Sequence, residues 1–204
     1  NVIQDIVHYS AIAGGYQNVI GTNSDFSSIG GGFHNQFQSN ATCSVVAGGY
    51  QNLVGINASN CVIAGGWSNR IDRAAFGCVI GGGENNTIQT NAYRSVIAGG
   101  WSNRIERAAS DSVIGGGERN TINAYADHSV IAGGTWNAIH GYAWRCSIGG
   151  GEGNMIGSNA IHSVIAGGNT NRIAAGAGGS VISGGASNVI EAGATYANID
   201  GGYH

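Results

Sequence analysis

A pair of adjacent glycines recurs with a 17-residue period, from Gly14-Gly15 to Gly201-Gly202, twelve times without an insertion. A fixed period is typical of a solenoid, in which each repeat forms one turn that stacks on the next. A unit of this length is too short for a pair of helices, and twelve such units account for all 204 residues. We therefore expect one repeat domain over residues 1–204.

The columns of the repeat indicate strands. Counted from the small residue before the apolar pair, so that Ser95 is position 1, the unit reads S-V-I-A/G-G-G-x-x-N-x-I-x-x-x-A-x-x. Position 3 is Ile in eleven turns with Val46 in the other, and position 11 is Ile in ten turns with Phe37 and Val54 in the others. β-Branched residues favour strands, whose side chains alternate in direction, so positions 1 and 3 should face inward and position 2 outward. The sequence predicts an all-β, parallel β-solenoid (a β-roll or β-helix) of twelve turns.

Composition argues against several other classes of protein. Glycine fills 38 positions and proline none, while 42% of residues are hydrophobic and 9% charged, which fits neither collagen nor a disordered chain. The net charge is −3, and all eight basic residues are Arg without a basic stripe, so we expect no nucleic-acid partner. No apolar run approaches the roughly 18 residues that cross a bilayer, so no membrane insertion is expected.

Two further columns are expected at corners of the solenoid. The paired glycines should lie where the backbone needs positive φ or approaches a neighbouring turn closely. Position 9 is Asn in every turn, and stacked amides can hydrogen-bond along the axis, so we interpret it as a structural ladder in preference to a row of ligand amides. The predicted ladder comprises Asn18, Asn35, Asn52, Asn69, Asn86, Asn103, Asn120, Asn137, Asn154, Asn171 and Asn188.

Position 2 should face outward, yet it is Val in eight of the twelve turns. A monomer should avoid a long exposed apolar ladder, so we expect burial against a partner; the alternative is a Val column that a β surface simply tolerates. The predicted lateral interface comprises Val45, Val62, Val79, Val96, Val113, Val130, Val164 and Val181.

The repeat stays regular from Asn1 to His204, with no capping turn. Unpaired strand edges invite association, so we expect the chain to partner with itself, by end-to-end stacking, as a lateral homo-oligomer, or both. At about 4.8 Å per turn, the twelve turns would form a rod roughly 58 Å long.

The string S-V-I-A-G-G-x-x-N-x-I, as in Ser95 to Ile105, resembles the head repeats of YadA-like trimeric autotransporter adhesins and the Gly-Gly-Asn repeat arrays of surface and phage-tail proteins. The resemblance covers essentially the whole chain. It implies a β-roll with two or three short strands per turn, packing as a trimer, and an extracellular, cell-surface or virion-fibre location. The turns of YadA-type heads are shorter than the repeat of this chain and carry a single glycine where Gly99-Gly100 stand here.

Position 7 is expected to be exposed, directly after the glycine corner, and carries mostly aromatic and acidic residues. Flat aromatic rings can stack on sugars and Glu can accept hydroxyl hydrogen bonds, so the column is either a glycan-binding row or a contact between fibre subunits. The candidate contact residues in this column are Tyr16, Phe33, Tyr50, Trp67, Glu84, Trp101, Glu118 and Glu152.

The carboxylates of that column allow one enzymatic hypothesis. Glu84, Glu118 and Glu152 recur two turns apart, roughly 9.6 Å, near the upper limit for an inverting glycosidase. Repeated equivalents indicate an array and not one catalytic centre, so no catalytic residues and no enzymatic activity are expected. The expected function is a structural or adhesive extracellular fibre segment; the alternative is a carbohydrate-binding or polysaccharide-degrading tail-fibre or adhesin module.

Cysteine and histidine give no sign of a metal or cofactor site. The four cysteines show neither CxxC spacing nor His partners at metal-site spacing, and the six histidines fall at scattered positions. Cys61 and Cys78 share position 1 in adjacent turns, so they form either a strained disulfide or, as we prefer, two buried thiols. We expect no metal and no cofactor.

Overall fold

The computed structural model describes residues 1–203 as an all-β solenoid. Twelve turns, each one repeat in length, stack on one another and form two parallel sheets of twelve strands each. The predicted fold class is therefore confirmed. Among residues 1–203, no helix is long and apolar enough to span a membrane.

Each turn contributes one two-residue strand to each sheet. The first sheet, at positions 10–11, consists of β1 (Val2–Ile3), β3 (Val19–Ile20), β5 (Gln36–Phe37), β7 (Leu53–Val54), β9 (Arg70–Ile71), β11 (Thr87–Ile88), β13 (Arg104–Ile105), β15 (Thr121–Ile122), β17 (Ala138–Ile139), β19 (Met155–Ile156), β21 (Arg172–Ile173) and β23 (Val189–Ile190). The second sheet, at positions 2–3, consists of β2 (Ala11–Ile12), β4 (Ser28–Ile29), β6 (Val45–Val46), β8 (Val62–Ile63), β10 (Val79–Ile80), β12 (Val96–Ile97), β14 (Val113–Ile114), β16 (Val130–Ile131), β18 (Ser147–Ile148), β20 (Val164–Ile165), β22 (Val181–Ile182) and β24 (Asn198–Ile199).

Neighbouring strands pair in register one turn apart, so equivalent residues stand above one another. Val96 lies opposite Val113, and the backbone N–H of Val96 donates to the carbonyl of Ser112 at 2.9 Å. A third row of parallel bridges runs through position 7, where Trp101 pairs with Glu118. The constant register turns each column of the sequence into a row along the rod.

The interior is filled by two aliphatic columns and a column of alanine. Ile97, Ile105 and Ala109 are each fully buried, and Phe37 occupies the position-11 column without exposed surface. Because strand residues alternate in direction, Val96 beside Ile97 lies half-buried on the outer surface. Burial of an Ile side chain contributes about 1.5–3 kcal/mol, which makes these columns the main hydrophobic source of stability.

Non-glycine residues adopt left-handed backbone conformations at three corners of the turn, positions 8, 14 and 17. In one turn these are Ser102 (φ 59°), Ala108 (φ 55°) and Asp111 (φ 55°). The conformation turns the N–H toward the preceding turn, where Ser102 donates to the carbonyl of Glu84 and Asp111 to that of Tyr93, both at 2.8 Å. These inter-turn bonds offset a conformational cost of about 1 kcal/mol per residue. The sequence predicted positive φ at the glycine pair only.

The second glycine of each pair lies where adjacent turns touch. Gly100 has a φ of +90°, and a Cβ added there would collide with the carbonyl oxygen of Gly117. Both reasons that the sequence suggested for glycine, positive φ and close backbone approach, therefore apply at position 6.

Candidate functional site

The Asn row at position 9 lies inside the solenoid, with its amide groups bonded to backbone. Nδ2 of the fully buried Asn103 donates to the carbonyl of Gly99 at 3.0 Å and to that of Gly117, in the next turn, at 2.9 Å. Its Oδ1 accepts the backbone N–H of Asn120 at 3.0 Å. The row from Asn18 to Asn188 is buried throughout, so its amides join consecutive turns and are inaccessible to a ligand.

Position 1 forms a second internal ladder, built from hydroxyls and thiols. The hydroxyl of Ser112 donates to the carbonyl of Ala126 at 3.2 Å and accepts the N–H of Ser129 at 3.2 Å. Cys146 takes the same place in its own turn, with its Sγ 3.0 Å from the carbonyl of Ala160. A thiol can therefore replace a Ser hydroxyl here without changing the turn.

Cys61 and Cys78 occupy adjacent turns of this ladder as buried free thiols, not as a disulfide. The side-chain hydrogen bond with Cys78 and desolvation by burial raise the pKa of Cys61. Burial likewise raises the pKa of Cys146 from its ordinary 9.0 to about 11. Protonated thiols are poor nucleophiles, so we assign Cys61 and Cys146 a structural role. The side-chain hydrogen bond with Cys61 lowers the pKa of Cys78, which is nevertheless buried, whereas Cys43 at position 17 is exposed.

The first four residues of the position-7 row form a stack of aromatic rings on the surface of the rod. The centroids of Phe33 and Tyr50 lie 5.0 Å apart with an interplanar angle of 9°, and those of Tyr16 and Phe33 lie 5.6 Å apart at 23°. Rings stacked along the axis cover one another's faces and present their edges to solvent. Trp67 ends the stack, tilted by 50° from Tyr50 and 55% exposed.

Beyond Trp67, carboxylates alternate with other residues in the row. The Arg119 guanidinium lies 4.2 Å from the ring centroid of Trp101 and 4.7 Å from that of Trp136. Its Nη1 also lies 3.2 Å from the carboxylate of Glu118. Arg119 thus covers one face of each indole. The sequence did not predict this contact, because residue type varies from turn to turn at position 8.

The other two carboxylates of the row also have polar neighbours. Glu84 accepts a hydrogen bond from the amide of Asn85 at 3.2 Å, and Glu152 accepts one from Asn169 at 3.4 Å. Glu84, Glu118 and Glu152 stand in equivalent, solvent-accessible places two turns apart. This arrangement is a repeating array on the rod surface.

The Val column lies on the outer surface of the second sheet, where Val45 is 36% and Val130 38% exposed. The side chain at position 4 points to the same side as that at position 2, because residues two apart along a strand face the same way. We call positions 2 and 4 of the first eleven turns the lateral face. It comprises Ala11, Ala13, Ser28, Gly30, Val45, Ala47, Val62, Ala64, Val79, Gly81, Val96, Ala98, Val113, Gly115, Val130, Ala132, Ser147, Gly149, Val164, Ala166, Val181 and Ser183.

A groove that the sequence did not predict lies at positions 16 and 17, and we call it the 16–17 groove. It consists of two adjoining cavities of about 290 and 300 Å³ that share Ile161 and His162. The lining residues are Asp127, His128, Trp144, Arg145, Asn159, Ile161, His162, Gly176, Gly178, Gly179, Thr195 and Tyr196. Its signal in the sequence was a second glycine pair, Gly178-Gly179, outside the regular glycine corner.

Within residues 1–203, no group of three or more His, Cys, Asp or Glu side chains is placed to hold a metal ion. No protein-family model and no curated protein matches this chain. The resemblance to YadA-like head repeats stays a prediction, and the fold itself is compatible with structural or adhesive repeat proteins.

Proposed function

We propose that this chain is a structural, non-catalytic rod segment of an extracellular or cell-surface fibre, and that it associates side by side with further copies of itself. The observation that carries the proposal is the lateral face. Over eleven consecutive turns its two rows contain only Val, Ala, Gly and Ser. A row of apolar side chains in strict register is typical of a surface that packs against another sheet.

The opposite sheet carries exposed ion pairs, so only one of the two sheets is suited to apolar association. There Arg70 pairs with Asp72, and Nε of Arg104 lies 3.5 Å from Oε1 of Glu106. Exposed ion pairs of this kind keep a surface hydrated and contribute little to stability. Association should therefore use the uncharged sheet and leave the charged one in solvent.

The size of the lateral face is sufficient for a specific contact. Eleven turns at about 4.8 Å give about 53 Å of length, and three residues at about 3.3 Å give about 10 Å of width. Two such faces would bury about 1,000 Å² in total, the lower bound for a specific interface. Small side chains allow the two sheets to approach without leaving voids.

Sedimentation velocity tests this proposal with a matched pair of variants. We expect the wild-type rod to associate as its concentration rises and Val96→Lys to remain monomeric, because a charge on the face would have to be buried. Thr121→Lys, at an equally half-buried site on the opposite sheet, should associate like the wild type. Monomeric wild-type protein at all concentrations, or equal association of both variants, would refute lateral assembly.

A second candidate function is carbohydrate binding through the position-7 row. It is favoured by Trp67, whose 55% exposed indole is tilted away from Tyr50 and is followed one turn later by Glu84. Binding to a glycan array should fall in Trp67→Ala and Trp101→Ala if this row binds sugars, and unchanged binding in both would exclude it. Polysaccharide hydrolysis that disappears in Glu118→Gln would contradict the non-catalytic assignment.

A further inference from the structure

The 16–17 groove interrupts the surface of the rod because one turn carries no side chains there. Gly178 and Gly179 stand where the preceding turn has Ile161 and His162. The ring of Tyr196, from the following turn, lies over Gly179, where any Cβ would meet it. The missing side chains leave a cavity of about 300 Å³, at the lower end of the range for small-molecule sites.

Two aromatic rings border the groove and keep faces available for a ligand. Trp144 is 49% exposed and Tyr196 is 87% exposed. Among residues 1–203, neither ring stacks on another aromatic ring, whereas Phe33 in the position-7 row is stacked on both sides. An accessible ring face beside an apolar side chain such as Ile161 suits the C–H face of a sugar.

The position-17 side of the groove supplies positive charge. Arg145 lies between His128 and His162 and forms no ion pair with a carboxylate of residues 1–203. The carboxylate in the groove, that of Asp127, accepts the backbone N–H of Ser110 at 2.8 Å. An Arg without an acidic partner is suited to bind a carboxylate through two parallel hydrogen bonds.

We propose that the 16–17 groove binds an acidic trisaccharide containing uronic acid. The first ring occupies the cavity above Gly178, where Asn159 and Thr195 can bond its hydroxyls. The third ring lies beside Trp144 with its carboxylate at Arg145. The two cavities are centred about two turns apart, roughly 9.6 Å, which matches the first and third of three linked sugar rings, with the middle ring between the cavities. The proposal is independent of lateral assembly and of sugar binding at the position-7 row.

Trigalacturonate and its neutral counterpart galactotriose test the charge requirement. In ¹⁵N-labelled protein, the indole N–H signal of Trp144, assigned with Trp144→Phe, should shift on titration with trigalacturonate. Galactotriose should bind about tenfold more weakly, the equivalent of one charge-assisted interaction. Arg145→Gln should lower the affinity for trigalacturonate to that for galactotriose.

A gap-filling variant tests the position of the site. Gly178→Ile gives this turn the residue that Ile161 provides in the preceding one, so the fold should persist. Circular dichroism checks the fold. Binding of both sugars should be lost, because the new side chain fills the cavity. Gly193→Asn lies outside the groove, at a corner where Asn159 stands in an earlier turn, and should bind normally. The proposal would be overturned by equal affinity for the two sugars or by an indole N–H signal of Trp144 that shifts with neither. It would also be overturned if Gly178→Ile still bound the sugars, or if triglutamate bound as tightly as the acidic sugar.

Discussion

The side-chain oxygen of Asn86 accepts the backbone N–H of Asn103 at 3.0 Å, so each Asn of the ladder is bonded to its equivalent one turn later. The bond lies beside the glycine corner, next to the third row of inter-turn bridges. An inserted residue would move the amide away from the carbonyls that it meets, Gly99 and Gly117 in the case of Asn103. The ladder thereby explains why the repeat keeps its 17-residue length twelve times.

Replacement of one ladder residue should destabilise the rod. In Asn103→Ala, two donated and two accepted hydrogen bonds disappear, and the buried backbone N–H of Asn120 loses its partner. We expect the free energy of unfolding to fall by about 3 kcal/mol, as measured by urea denaturation. The control is Asn123→Ala, a half-buried site outside the ladder, which should change it by less than about 0.5 kcal/mol. Equal losses would contradict a special role for position 9.

The two glycines of a pair should differ sharply in their tolerance of a side chain. Gly100→Ala would place a Cβ against the carbonyl of Gly117 at positive φ, and we expect a loss above about 3 kcal/mol or no folded protein. The nearest atom to a Cβ at Gly99 is the carbonyl oxygen of Gly82 at 4.0 Å, so Gly99→Ala should be neutral or slightly stabilising. Thermal unfolding of the two variants measures the difference, and similar midpoints would be inconsistent with the corner geometry.

Thiol reactivity should distinguish the four cysteines. Cys43 is exposed, while Cys61, Cys78 and Cys146 are buried. Ellman's reagent at about pH 8 should therefore react quickly with one thiol in the native protein and with four after unfolding. Cys43→Ser should abolish the fast reaction, and a fast phase that survives this substitution would show that the solenoid opens locally.

Stability should decrease as the pH rises from about 9 to about 11. The pKa of Cys146 is about 11 in the folded protein against an ordinary 9.0, so in this window the unfolded chain binds fewer protons than the native one. The stability that the protonated Cys146 thiol contributes is fully present below about pH 9 and is lost as the pH approaches about 11. Urea denaturation at about pH 8 and at about pH 10.5 measures this loss. The free energy of unfolding should fall less between these two pH values in Cys146→Ser than in the wild type. Equal losses would mean that this thiol is not linked to folding.

The period and the aliphatic columns were sufficient to predict the fold, because an inward row must recur at the same place in every turn. The left-handed corners were not predictable in the same way. Ala108, Tyr125 and Trp136 all have positive φ although local preference disfavours it, since the N–H of each must reach the preceding turn. Inter-turn bonding decides the conformation there, and residue type does not.

The outward direction of position 7 follows from the unit, but the orientation of its side chains does not. Whether Phe33 offers a face or an edge depends on contacts with Tyr16 and Tyr50, one turn on either side. The 16–17 groove was missed for a related reason. Gly178 and Gly179 leave a gap only because Ile161 and Tyr196 flank them in space, each one full turn away along the chain.

Alkylation of an introduced thiol tests most directly whether the lateral face is covered by another copy. In a Cys43→Ser background, we expect iodoacetamide to modify Val96→Cys at least tenfold more slowly at high protein concentration than at low concentration. Thr121→Cys, on the charged sheet, should react at a rate independent of concentration. Concentration-independent modification of Val96→Cys would contradict the proposal that this rod assembles through its uncharged face.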